Sequence, residues 1–275
     1  MDTQFLQLPG GKIAYDETGT GPLVVCVPGM GDLRGEYRFL ALQLAGGGFR
    51  VVTMDVRGHG ESSVGWTDYS VAGVGSDILA LIRQLNTGPA VIIGNSMAAG
   101  AAVWAAAEEP EQVRGLVLIG PAVRGDLGRA FRMLLAVLFA RPWGPSAWLS
   151  YYSTLFPTRK PMDWKEYTAG LKRNLTQPGR LEALHQMMII SKAASEERLA
   201  QVDSPSFILM GSKDPDFKAP ESEAQWIASQ LKGTYQMIEG AGHYPFTEMP
   251  EITGPKILSF LNTLPAEVRR GAPSF

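Results

Sequence analysis

Short apolar runs, each closed by glycine, proline or aspartate, constrain the first half of this chain more than any other feature. Leu23 to Val27 ends at Pro28-Gly29, Phe49 to Met54 at Asp55, Ala90 to Ile93 at Gly94, and Gly115 to Ile119 at Gly120-Pro121. Runs of this length that are apolar on both faces suit strands covered by helices on both sides of a parallel sheet. Helix-like stretches lie between them: Glu36 to Ala45, Val71 to Leu85 and Met97 to Ala107. Strand alternating with helix predicts an α/β fold, a mostly parallel twisted sheet with right-handed crossovers. Before it, Phe5 to Leu8 and Ile13 to Glu17 flank Pro9-Gly10-Gly11, which reads as an antiparallel hairpin.

The alternation stops after Pro121. From about Val123 to Val202 no strand is expected, only helices at Leu127 to Phe139, Trp164 to Asn174, Leu181 to Ser191 and Ser195 to Val202. The pattern resumes with a strand from Ser206 to Met210, a helix from Pro220 to Leu231, a strand from Thr234 to Ile238 and a helix from Pro250 to Leu261. The organisation expected is thus a sheet domain over 1–122 and 203–275, interrupted by a helical cap over 123–202.

Composition excludes several classes. A formal net charge of −2 and no dense Lys/Arg cluster argue against nucleic acid as a partner. The single cysteine, Cys26, lies in an apolar run and reads as an inert core thiol. No Cys/His spacing suits a structural zinc site, so no metal is expected. The strongest membrane-like stretch, Met133 to Ala140, is far short of the ~20 residues that cross a bilayer. The opening Met1-Asp2-Thr3-Gln4-Phe5 is unlike a secretory leader, and the expectation is a cytoplasmic protein with a small-molecule substrate.

Gly94-Asn95-Ser96-Met97-Ala98 follows one predicted strand directly and opens an alanine-rich helix. A one-residue strand-to-helix turn strains its central residue and needs small neighbours two positions either side. It exposes the serine oxygen at the carboxyl edge of the sheet and aims the next N–H, that of Met97, at a developing oxyanion. The same five residues also suit an ordinary helix N-cap, and the strand before and helix after favour the nucleophile.

A serine needs a neighbouring base, and the chain offers three histidines: His59, His185 and His243. His243 sits in the glycine-rich loop Gly240-Ala241-Gly242-His243, just past the last predicted strand. His185 lies within a helical stretch and reads as a packing residue. His59 and Arg57, in Asp55-Val56-Arg57-Gly58-His59-Gly60, read as stabilisers of a turn. Asp214 follows the strand Ser206 to Met210 and precedes a proline that keeps it extended, so it can orient the histidine. Asp216 is its rival, two residues on. The order Ser96, Asp214, His243 puts one residue after each of three predicted parallel strands, the edge where α/β sheets place their sites.

On these motifs the whole chain resembles the α/β-hydrolase fold family, in its capped, esterase-like serine hydrolase form. The resemblance rests on the serine pattern at Gly94 to Ala98, with alanine in place of the last glycine. It rests also on G-x-x-D at Gly211 to Asp214, G-x-G-H at Gly240 to His243, and D-x-R-G-x-G-x-S at Asp55 to Ser62. The family's His-Gly-x-Gly loop here reads Pro28-Gly29-Met30-Gly31. The resemblance implies an oxyanion hole formed by the N–H groups of Met30 and Met97, and neither metal nor organic cofactor. It implies a carboxylic-ester hydrolase working through an acyl-enzyme. A carbon–carbon bond hydrolase, a cofactor-free perhydrolase, or a slowly turning, receptor-like binding protein would use the same fold. The cap carries Phe131, Phe139, Trp143, Trp148, Tyr151, Tyr152, Phe156 and Trp164. Pocket-facing members of that set would favour an apolar or aromatic acyl group, and Trp148→Ala or Phe131→Ala would then act on KM more than on the chemical step.

Overall fold

A computed structural model describes residues 2–125 and 128–265, except the side chains at 129–132 and 136. Eight strands form one sheet: β1 (Gln4–Leu8), β2 (Gly11–Thr18), β3 (Leu23–Val27), β4 (Arg50–Met54), β5 (Ala90–Asn95), β6 (Val113–Ile119), β7 (Ser206–Gly211) and β8 (Thr234–Ile238). Their spatial order is β1-β2-β4-β3-β5-β6-β7-β8. The first two strands form the antiparallel hairpin, and β2 runs antiparallel to β4 with Tyr15 opposite Met54. Every other pairing is parallel.

Helices α1 (Arg38–Gly46), α2 (Val71–Leu85), α3 (Met97–Glu108), α9 (Pro220–Gln230), α10 (Pro245–Glu248) and α11 (Pro250–Thr263) connect or follow these strands. Between β6 and β7 the described chain is helical: α4 (Arg129–Leu138), α5 (Gly144–Thr154), α6 (Trp164–Thr176), α7 (Arg180–Met188) and α8 (Ala193–Glu196). The start of the first predicted insertion helix, Leu127, lies outside the described residues.

The period-2 geometry of a strand divides the central residues between two cores. Val25, Ile92, Leu116 and Ile208 face α2 and α3 on one side. Val24, Val91, Val117 and Phe207 face the other, together with α1, α11 and the insertion residues Trp148, Tyr152, Leu171 and Leu184. Each such side chain removed from water contributes about 1.5–3 kcal/mol, so burial on both faces fixes the strand register strongly. Cys26 belongs to the second core, and burial pushes its thiol pKa up, as an inert core thiol requires.

The structure departs locally from the sequence reading in three places. The chain enters α1 through a 3-10 turn, Arg34–Tyr37, because the Tyr37 hydroxyl is drawn inward to donate to the Val27 carbonyl at 2.9 Å. Helix α5 begins at Gly144-Pro145, where proline suits the first helical turn, and no helix is expected there from the sequence pattern. The helix expected over Ser195 to Val202 is instead α8 and a 3-10 turn at Leu199–Gln201. The Ser195 hydroxyl donates to the Val123 or Lys192 carbonyl, 2.9 and 2.8 Å away, tying this turn to the start of the insertion.

Candidate active site

Strand β5 passes into α3 through a single residue. Ser96 takes φ 54° and ψ −121°, a conformation that costs an L residue on the order of 1–3 kcal/mol. Its neighbours hold it there: the Ser96 N–H donates to the Ile119 carbonyl at 2.9 Å, and its own carbonyl accepts from the Ala122 N–H at 3.1 Å. A Cβ on Gly94 would stand 2.5 Å from the Ala98 carbonyl oxygen, so only glycine fits. The crowding falls on position 94. The methyl group of Ala98 is buried in the core without hindrance, which explains why alanine serves at the end of the motif.

His243 is brought to the same sheet edge by the loop after β8. Its N–H donates to the Leu155 carbonyl at 2.9 Å. Asn95, the residue before Ser96, donates through Nδ2 to the His243 carbonyl at 3.2 Å and to the Ile119 carbonyl at 3.1 Å. The serine turn and the histidine loop are therefore stitched together by one buried amide. His243 Nδ1 lies 2.7 Å from Asp214 Oδ2 and 3.8 Å from Asp216 Oδ2. Only the first distance is a hydrogen bond. The nearer carboxylate is also the better anchored, accepting from the Asp216 N–H at 3.0 Å. The Asp216 carboxylate accepts instead from the Tyr151 hydroxyl at 2.7 and 2.8 Å.

Burial opposes charge on His243, but the Asp214 carboxylate, and then that of Asp216, outweighs it, and the pKa is pushed up to about 9. The imidazole is thus strongly disposed to keep a proton once it has one. Asp214, Asp216 and His243 also offer three ligand atoms within 4.8 Å of one another, a donor set that could hold a metal ion. The His243 nitrogen nearest both carboxylates is, however, engaged in a hydrogen bond of ordinary charge-assisted length.

Met30 lies in the turn after β3, and Met97 opens α3. Among the described residues neither N–H donates to a protein acceptor. Arg57 and His59 sit where the sequence reading puts them, in the turn after β4. Arg57 is anchored to α2 through Asp77 at 2.8 and 2.6 Å. His59 reaches further than the turn, accepting at Nε2 from the Gly31 N–H at 3.0 Å. His185 Nε2 lies 2.8 Å from the Phe139 carbonyl, an arrangement within the insertion.

Helix α5, absent from the sequence reading, touches all three loops of the site along one face. Trp148 donates through Nε1 to the Gly31 carbonyl at 3.2 Å, Tyr151 bonds Asp216, and Leu155 at the helix end accepts from His243. Positions i, i+3 and i+7 lie on one helical stripe. The expectation that Trp148 faces a pocket is therefore corrected: the indole is 2% exposed and packs against Phe139 and Tyr151. The Phe131 side chain lies outside the described residues.

Two further supports carry no sequence signal. Glu248, buried, accepts from the N–H groups of Gly242, Thr158 and Arg159 at 2.7, 2.8 and 2.9 Å, tying the histidine loop to the insertion. Asp32 and Glu36 lie buried beside the 28–31 turn, with Tyr167 donating to Asp32. Burial, and then the neighbouring Asp32 charge, pushes the Glu36 carboxyl well above the carboxylate range. A raised folded-state pKa contributes stability below the unfolded value and loses it as pH climbs toward the folded one. Glu36→Gln should remove that loss. Its Tm relative to the native protein is expected to rise as pH climbs above the ordinary carboxylate range. A Tm gap that stays constant or closes over that climb would show Glu36 to be ionised.

No helix among the described residues is long and apolar enough to cross a membrane. Residues 22–250 match the family model described as alpha/beta hydrolase fold. An uncharacterised protein of Mycobacterium tuberculosis is 27% identical over 98% of this chain and 84% of its own length. Among solved structures, a bromoperoxidase from Bacillus anthracis superposes with a TM-score of 0.82 at 19% identity, covering 95% of this chain and 100% of that one. An esterase from Exiguobacterium antarcticum gives 0.82 at 21%, covering 94% and 99%. At such identities the two structures speak for the fold alone.

Proposed function

The chain belongs to the α/β-hydrolase fold family, and we propose that within it this protein is a serine hydrolase, with Ser96 as nucleophile, His243 as base and Asp214 as the acid that orients the base. The observation that carries the reading is the buried 2.7 Å bond between His243 Nδ1 and Asp214, stitched by Asn95 to a serine held in a strained turn. Nδ1 thus engaged leaves Nε2 for the serine proton.

The reaction proposed is hydrolysis of a carboxylic ester. Ser96 Oγ attacks the acyl carbon as His243 Nε2 takes the hydroxyl proton, and the carbonyl π pair moves onto oxygen. The N–H groups of Met30 and Met97 receive that oxyanion. Its collapse breaks the ester C–O bond, and the alcohol leaves with the proton from His243. Water, deprotonated by the same imidazole, attacks the acyl-enzyme, and the second collapse releases the acid and returns the proton to Ser96. The rings of Phe217 and Tyr244 stand 6.3 and 5.3 Å from the His243 imidazole, centroid to centroid. Those rings support a small apolar or aromatic acyl group. The partner proposed is such a small molecule, met in the cytoplasm.

A fluorophosphonate probe tests the nucleophile directly, because an activated serine attacks phosphorus as it does a carbonyl. The adduct mass is expected on the peptide containing Ser96 and on no peptide of Ser96→Ala. Labelling that survives Ser96→Ala, or none in the native protein, overturns the reading.

A further inference from the structure

Gly31, the residue after the Met30 donor, is gripped from two sides. Its N–H donates to His59 Nε2 at 3.0 Å, and its carbonyl accepts from Trp148 Nε1 at 3.2 Å. One grip comes from the turn after β4 and the other from α5 in the insertion. Gly31 has φ +75°, and a Cβ there would lie 2.3 Å from the indole Cζ2, so the ring packs directly on a bare α-carbon.

The state of His59 follows from its partners. Its Nδ1 lies 3.1 Å from the Arg57 carbonyl, which can only accept. The Gly31 N–H can only donate. The ring therefore carries one proton, on Nδ1, and presents a lone pair at Nε2. Burial supports the same neutral form, holding the His59 pKa down at about 4. The histidine expected at position 28 from the family pattern is proline here, and a different histidine now reaches the loop.

The geometry points to His59 and Trp148 as positioning residues for the oxyanion hole, which together fix the two peptide planes flanking Gly31 and through them the direction of the Met30 N–H. This rests on the serine hydrolase reading above. An oxyanion donor is effective only if it stands where charge develops, and losing one altogether costs about 10²–10³-fold in kcat. Releasing one of the two grips lets the turn tilt and forfeits part of that factor. The effect falls on the transition state, so it lowers kcat with little change in KM. The insertion thereby takes part in the chemical step as well as in covering the site.

Three variants test it, with p-nitrophenyl acetate as substrate and phenylboronic acid as a probe whose serine adduct places an oxygen in the hole. His59→Leu and Trp148→Phe should each lower kcat roughly 5–50-fold with KM within about twofold, and weaken boronate inhibition by a similar factor. His59→Gln, whose side-chain carbonyl can accept from the Gly31 N–H, should recover most of the loss. The inference fails if the folded variants keep native kcat, if only KM moves, or if His59→Gln is as impaired as His59→Leu. Should His59→Leu not fold, Trp148→Phe decides by the same criteria. Ser96→Ala separates the two readings: hydrolysis persisting in that variant removes the serine reading itself, whereas its loss beside unimpaired Trp148→Phe removes only the positioning role.

Discussion

Replacing Ser96 by alanine should lower kcat on an activated ester by roughly 10⁴–10⁶-fold, and His243→Ala should do the same. The two losses should not add. A serine without its base and a base without its serine both leave only binding and the oxyanion donors, so the double variant should match either single one. KM should change little, because Ser96 and His243 act in the transition state. Alanine keeps a Cβ at φ 54°, so the strain of the turn remains and the Tm of Ser96→Ala should stay near native. Steady-state kinetics on purified protein beside thermal melts would check both halves. A fall of less than about tenfold in either single variant would mean that another group performs the attack.

Much of this candidate site is legible in sequence because Ser96, Asp214 and His243 each follow a strand that is itself legible. The runs at Ala90–Asn95 and Ser206–Gly211, before Ser96 and Asp214, are buried on both faces, as is Leu23–Val27 before the Met30 turn, and each run's end fixes the sheet edge at which the next residues emerge, whereas β8, before His243, is half exposed. The sequence ranks Asp214 above Asp216 only by its place nearer the strand, whereas the contacts with the imidazole, 2.7 against 3.8 Å, are encoded by no spacing. What the sequence conceals is the support around the triad. Asn95 bonds the His243 carbonyl, Glu248 bonds the N–H groups of Gly242, Thr158 and Arg159, and Trp148 bonds the Gly31 carbonyl, pairings that no local spacing encodes. Their residue types are ordinary for a strand end, a short helix and an apolar helix. Helix α5 is not expected from the sequence pattern, and with it goes the stripe Trp148, Tyr151 and Leu155 that contacts the three site loops.

That stripe bears on how the insertion and the sheet act together. An insertion that merely covered the serine could shift without changing the chemistry. Here any movement of α5 would draw on the Gly31 carbonyl, the Asp216 carboxylate and the His243 N–H at once. Helix α5 is thus bonded to the groups proposed to carry out the reaction, so displacing it should disturb all three of them at once.

The two carboxylates beside His243 give a second large effect that separates their roles. Asp214→Asn should lower kcat about 10²–10⁴-fold, because an amide facing Nδ1 no longer holds the imidazole in the tautomer whose Nε2 accepts the serine proton. Asp216→Asn leaves the 2.7 Å bond to Asp214 in place and should cost less than about tenfold at its pH optimum. Its signature should lie in the pH profile instead. The base works only when neutral, and two nearby carboxylates push the His243 pKa up to about 9 from the ordinary imidazole value. The acidic limb of kcat/KM in the native protein should therefore lie above that ordinary value. Removing the Asp216 charge takes away the second of the two attractions that favour the imidazolium, so the limb should move to lower pH in Asp216→Asn. At a fixed, mildly acidic pH this variant can even outpace the native protein, while Asp214→Asn stays impaired at every pH. If Asp216→Asn instead shows the larger fall in kcat, with an unmoved acidic limb, the acid of the triad is Asp216 and the short contact to Asp214 is structural.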